Sequence, residues 1–138
     1  MPLTSLVPGL THESTLLVSE DLTVPKVSSH LEPFQDMPPV FATAFMVAFV
    51  EATCIESIRE HLDDGEQTVG THVDLSHVSA TPIGLKVTAS VRLVAVEGRR
   101  LRFEAECHDG VDLIGRGFHE RSIIIKEKFL DRLSKKGG

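Results

Sequence analysis

The chain has no tryptophan and no tyrosine, so seven phenylalanines do all of its aromatic packing. Two cysteines, Cys54 and Cys107, are too few for a disulfide framework and are expected to be buried, reduced thiols. No Cys/His spacing suits a metal ion, and no metal is expected. No run of about 18 apolar residues occurs, so no membrane-spanning helix is expected. The first residues lack a basic stretch followed by an apolar one, which argues against a secretory signal and for a cytoplasmic protein. Lysine and arginine are outnumbered 14 to 20 by acidic residues and are scattered, which excludes the concentrated basic surface that nucleic acid requires. Repeats and low-complexity segments are also missing.

What remains is an ordinary globular composition, 41% hydrophobic and 25% charged over 138 residues, enough for one domain with a substantial core. Residues 1–12 hold Pro2, Pro8 and Gly9 and read as a flexible N-terminal arm. Residues 13–25 read as a first strand, and 26–40, with Pro33, Pro38 and Pro39, as an irregular loop with one short turn. A helix is expected over 43–62, with Thr43 as its N-cap and Asp63-Asp64-Gly65 at its end. Four extended segments follow at 67–80, 85–97, 99–109 and 112–126. They are parted by Pro82-Ile-Gly84, Glu97-Gly98 and Asp109-Gly110, breaks of the kind that turn hairpins. A short amphipathic helix closes the chain at 127–136. The sum is an α+β architecture with one long helix against a five-stranded, mostly antiparallel sheet. The first half of the helix is apolar nearly all round. One flat sheet face cannot cover it, which favours a sheet that wraps the helix and a second subunit nearby.

Two polar residues interrupt apolar surfaces. Glu51 lies within Phe41-Ala-Thr-Ala-Phe-Met-Val-Ala-Phe-Val-Glu51-Ala-Thr-Cys-Ile55. On a helical wheel Val47, Ile55, Ile58 and Leu62 fall within roughly 40° of it. An unpaired carboxylate buried there would cost several kcal/mol or become protonated, and catalytic carboxylates arise in this way. A glutamate held by a buried donor, or one on a subunit interface, would show the same pattern. His77 ends an alternation that groups Val69, Thr71, Val73 and Leu75 with it, and leaves Gly70, His72, Asp74 and Ser76 on the other face. That parity points His72 and Asp74 away from His77 and opposes a metal cluster. A hydrogen-bonded core histidine fits His77 as well as a catalytic one does.

Several segments together carry a resemblance. They are Pro39-Val-Phe-Ala-Thr43-Ala-Phe-Met-Val with Glu51 eight residues after Thr43, Gly70-Thr71 through His77, and Ala80-Thr-Pro-x-Gly84-Leu. Val96-Glu-Gly-Arg-Arg-Leu101, His108-Asp-Gly-Val-Asp112 and His119-Glu-Arg121 continue it, in order, over about residues 13 to 130. The chain thereby resembles the hot-dog-fold acyl-CoA thioesterases, and among them the fluoroacetyl-CoA thioesterases. The resemblance implies a hot-dog fold and a homodimer with active sites at the subunit interface. It also implies hydrolysis of a short acyl-CoA, fluoroacetyl-CoA among the candidates, with CoA as part of the substrate and no cofactor. It carries the catalytic roles onto Thr43, Glu51 and His77, a glycine near the thioester onto Gly70, and a site arginine onto Arg121, which can equally pair with Glu120 or Glu51.

The resemblance also implies an aromatic lid over the acyl pocket, where this chain carries Met37 instead, with Phe34 as the candidate for the other lid residue. Glu51 can attack the carbonyl or activate water, His77 can protonate the leaving thiolate or act as base, and Thr43 can orient Glu51 or donate to the substrate. Thr43 and Glu51 stand about 12 Å apart along a regular helix and about 80° apart around it, so their side chains cannot simply touch. A hydratase would show Asp and His five residues apart, a pair the sequence lacks. A non-catalytic module that binds acyl-CoA or another small ligand would share the fold, and turnover alone separates it.

Overall fold

The computed structural model describes residues 5–137. Five strands form one antiparallel sheet: β1 (Thr11–Leu17), β2 (Glu66–Leu75), β3 (Lys86–Glu97), β4 (Arg100–His108) and β5 (Leu113–Ile125), in the order β1-β3-β4-β5-β2. The long helix α1 (Thr43–Ile58) packs against β1, β2, β3 and β4, and the sheet curls round it. A second helix, α2 (Lys126–Lys136), follows β5 directly. This is the expected hot-dog architecture.

The inner sheet face follows from alternation. Val87, Ala89, Val91 and Leu93 of β3, and Leu101, Phe103, Ala105 and Cys107 of β4, are all buried, as period two requires for a strand with one covered face. Met46, Phe49, Val50, Cys54 and Ile58 of α1 fill the concavity above them. The buried line centres on Val50. Glu51 lies about 100° round the helix from it, half-buried on the flank with Val47 and Ile55 rather than in the middle of the covered stripe.

Several local expectations are corrected. The first strand ends at Leu17. Beyond Ser19 the chain makes short 3-10 turns at Glu20–Leu22 and Val24–Lys26, where Pro25 cannot donate to a ladder. Residues 1–4 of the expected arm lie outside the described residues. The rest of it is packed: Leu6 is buried, Gly9 donates its N–H to the Leu93 carbonyl, and the Leu93 N–H donates to Leu10. α1 stops at Ile58 and tightens into a 3-10 turn at Arg59–His61 before Leu62 turns extended. Thr43 is its first helical residue rather than its cap. Ala42 takes the cap position, with no side-chain bond, and the Thr43 hydroxyl is engaged elsewhere.

Strand β2 departs furthest from simple alternation. Its register against β5 runs Gly70 to Arg121 and then His72 to Glu120, so Thr71 is an extra, bulged residue. The bulge switches parity. Thr68 and Gly70 meet inward groups before it, and Leu75 packs against the core after it. The continuous face from Val69 to His77 expected from the sequence is therefore broken. After β2 the chain runs close along β5: Ser76 N–H donates to the Arg116 carbonyl and Val78 N–H to Ile114. A Cβ on Gly115 would run into the Ser76 carbonyl, and one on Gly117 into the Asp74 carbonyl, so this approach needs both glycines.

Candidate active site

The structure assembles two polar groups along one side of α1. In the first, Thr43 Oγ1 lies 2.7 Å from His77 Nδ1. The helix start brings the hydroxyl, and the segment after β2 brings the imidazole. That segment is anchored at both ends. The Phe41 N–H donates to the Thr81 carbonyl, and the Thr81 hydroxyl donates to the buried Asp109 carboxylate at 2.8 Å. Burial pushes the Asp109 pKa up, but the N–H groups of Asp112 and Val111, together with the Thr81 hydroxyl, outweigh it and hold the carboxylate below its usual range. The Phe41 ring meets the His77 ring edge-on, with centroids 6.4 Å apart. Burial pushes the His77 pKa down, so the imidazole is neutral at pH 7. Its Nε2 is buried without a hydrogen-bond partner among the described residues. A hydroxyl on a neutral imidazole, with the second ring nitrogen free for another group, suits proton transfer.

The second group centres on Arg121, whose side chain is 5% exposed. Its Nη1 donates to Glu51 Oε1 at 2.8 Å and approaches His119 Nε2 at 3.1 Å. Nε donates to the Thr68 hydroxyl at 2.8 Å, and Nη2 to the Thr68 carbonyl at 2.9 Å. A buried guanidinium is tolerated only when its donors are matched in this way. Glu51 is thus the partner of Arg121, while Glu120 pairs with Arg102 at 2.5 Å and Arg100 at 3.5 Å on the outer face. Gly70 faces the same carboxylate. A Cβ built there would sit 2.8 Å from Glu51 Oε1. Glu51 keeps 36% of its side chain exposed and so can meet a substrate while clamped.

Among the residues singled out from the sequence, Thr43 and His77 come together, and so do Glu51, Gly70 and Arg121. No hydrogen bond or ion pair among the described residues joins the two groups. Met37 is 47% exposed in a turn after Glu32–Phe34, where its N–H donates to the Phe34 carbonyl at 3.2 Å. His72 and Asp74 are exposed, and among the described residues no cluster of His, Cys, Asp and Glu could hold a metal ion. Burial raises the Cys54 thiol to about 12 and the Cys107 thiol to about 11, so neither is a nucleophile at neutral pH.

Two residues of the site escaped the sequence reading. His119 is fully buried, and its signal was legible: period two in β5 puts His119 and Arg121 on one face with Ile123. Thr68 had no such signal, since only the bulge turns it inward.

A sheet curled round a helix that presents a clamped carboxylate, beside an imidazole–hydroxyl pair, defines a hot-dog-fold acyl-CoA thioesterase. Comparison with known proteins bears this out. Residues 18–127 match FlK, the fluoroacetyl-CoA-specific thioesterase family, and the chain belongs to it. It is 44% identical over 124 residues to the fluoroacetyl-CoA thioesterase of Streptantibioticus cattleyicolor, an alignment spanning 86% of this chain and 89% of that one. The solved structure of the fluoroacetyl-CoA thioesterase FlK superposes with a TM-score of 0.93 at 39% identity, over 96% of this chain and 98% of that chain. A variant of FlK in complex with acetyl-CoA gives 0.94 at 38% identity, over 96% and 100%.

Proposed function

We propose that this thioesterase hydrolyses short acyl-CoAs, fluoroacetyl-CoA among them, as a cytoplasmic homodimer, with Glu51, His77 and Thr43 as its catalytic residues. One observation carries the assignment: the Glu51 carboxylate is held by a buried arginine against the backbone of Gly70, where a thioester carbonyl can approach without meeting a side chain. Hydrolysis forms a bond from oxygen to the acyl carbon, breaks the C–S bond and returns a proton to the departing thiolate. Glu51 supplies the attack, either through its own oxygen or by taking a proton from water. The water that enters supplies the proton for sulfur, and neutral His77, oriented by Thr43, takes it up and passes it to the departing thiolate. Single turnover in ¹⁸O-labelled water identifies a mixed anhydride opened at the Glu51 carbonyl by label in the Glu51 carboxylate. Trapping with hydroxylamine separates an anhydride opened at the acyl carbonyl from direct water attack, since only an anhydride yields a trapped adduct faster than product forms.

The substrate range is supported by the relatives. Relatives that carry the fluoroacetyl-CoA name, and one solved with acetyl-CoA, support a two-carbon acyl group. The dimer is supported by the open edge of β2, which ends the sheet order and is exposed along most of its length, and by the half-buried Phe45, Val47 and Ile55 beside it. A substrate lying between two subunits can touch polar groups that one chain keeps apart. Release of free thiol from acetyl-, propionyl- and fluoroacetyl-CoA tests the activity. No release from any of them returns the protein to a binding module without turnover. Sedimentation at micromolar concentration tests the dimer, and a stable monomer refutes it.

A further inference from the structure

His119 takes no part in the reading above, yet its hydrogen bonds leave it a single protonation state. Its Nδ1 lies 2.7 Å from the His72 carbonyl oxygen, which can only accept, so Nδ1 carries the proton. Its Nε2 lies 3.1 Å from Arg121 Nη1, which can only donate, so Nε2 presents a lone pair. Both contacts name the same neutral tautomer. The two hydrogens of Nη1 are then both used, one on Glu51 Oε1 and one on His119 Nε2. A third element fixes the imidazole, since the His72 carbonyl belongs to β2 just past the bulge at Thr71.

We infer that His119 is a positioning residue: as the neutral Nδ1–H imidazole it orients the Arg121 guanidinium that holds the Glu51 carboxylate beside Gly70. The inference rests on Glu51 being the reacting carboxylate proposed above. The groups facing His119 are Arg121 from β5, Glu51 from α1 at 3.9 Å, and His72 from β2. Burial above all, and Arg121 and His72 with it, push its pKa down, while the His72 carbonyl and Glu51 push the other way. The neutral state required by the hydrogen bonds is the one burial favours. A protonated ring would turn an N–H against the guanidinium and release the clamp.

Two substitutions take the imidazole apart. His119→Asn keeps a donor near the Nδ1 position for the His72 carbonyl and leaves Arg121 without its acceptor. His119→Gln reaches the Nε2 position and can offer its carbonyl oxygen to Arg121. Thiol release from acetyl-CoA is expected to stay within about tenfold of the unmodified protein for His119→Gln. For His119→Asn, kcat is expected to fall on the order of 10²-fold with little change in KM, the loss typical of a group displaced by about 1 Å. Equal losses in the two variants, or losses that simply follow their melting temperatures, would overturn the inference.

Imidazole ¹⁵N spectra of the unmodified protein at pH 7 supply a second readout that needs no variant to fold. Protonated Nδ1 with unprotonated Nε2 supports the role, and the opposite tautomer or an imidazolium refutes it. If the unmodified protein releases thiol from no acyl-CoA, the functional reading falls with the positioning of Glu51 for catalysis. The spectra then decide alone whether His119 holds Arg121.

Discussion

Gly70→Ala tests the site where its geometry is tightest. Gly70 does not adopt the positive φ that favours glycine, so alanine introduces no strain of that kind. In the unfolded chain the change removes conformational freedom, an effect that favours folding by about 0.4–1 kcal/mol. In the folded state the new methyl carbon would lie 2.8 Å from Glu51 Oε1, 3.3 Å from His119 Cε1 and 3.4 Å from Arg121 Nη1. Only the first of these is a forbidden approach, and its atom is the far end of a flexible side chain. The carboxylate oxygen must retreat by about 0.6 Å to reach the ordinary contact distance, which begins at 3.4 Å. That displacement strains its 2.8 Å bond to Arg121 and covers the bare backbone that the thioester would approach. The two stability terms oppose each other, so the net change is expected within about 1 kcal/mol, a melting shift of a few degrees at this size. Turnover is expected to fall about 10- to 100-fold, since misplacement by about 1 Å costs on the order of 10²-fold. Thiol release from acetyl-CoA and a thermal melt on the same sample measure both. Full activity in a folded Gly70→Ala would refute the reasoning, for it would show that reaction does not depend on the carboxylate where Arg121 and Gly70 hold it. A large drop in melting temperature would equally refute the claim that a retreat of Glu51, with a slight give of the His119 ring, is enough to seat the methyl.

The other predictions use the same assays. Glu51→Gln should stay folded, because an amide oxygen still accepts from Arg121 and the group is a third exposed, with a stability cost of at most about 1–2 kcal/mol. Its turnover should fall about 10²–10⁴-fold, the range for a positioned acid or base, and near-normal turnover would leave Glu51 a structural partner of Arg121. Met37→Phe should narrow the range of acyl groups hydrolysed, since a rigid ring replaces a chain that can swing aside. Apolar packing of this kind discriminates by only about 1–3 kcal/mol, so an unmodified protein that already prefers fluoroacetyl- over acetyl-CoA by many thousand-fold would show that Met37 is not the determinant. His77 and His119 both have pKa values lowered from 6.5 by burial. Their contribution to stability is therefore complete above about pH 6.5 and lost as the pH falls through their folded values, because the unfolded chain binds those protons first. Denaturant unfolding at pH 7.5 and 5.5 should show the loss, with a shallower slope in His119→Gln, and an unchanged slope in that variant would contradict it.

The amino-acid sequence determined the architecture and most of the chemistry. Period two in β3 and β4, the glycine breaks between strands and one long apolar run were enough for a sheet curled on a helix. Those are local signals, which each segment carries whatever surrounds it. Glu51 and His77 stood out because a polar group on an apolar surface has to be paired or used. Only the tertiary structure decided their partners. Thr43 is a natural N-cap by residue type, but Ala42 takes the cap position, and the segment after β2 brings His77 within 2.7 Å of the Thr43 hydroxyl. Arg121 had two candidate carboxylates within reach of its position in the chain, and the inward direction of β5 at that residue selected Glu51. Gly70 was assigned by alternation to the face away from the one on which it acts, relative to His77, and Thr68 was assigned to no face at all. A single bulged residue at Thr71 reversed the parity, and a bulge depends on how two strands pair, which neither strand's own pattern contains.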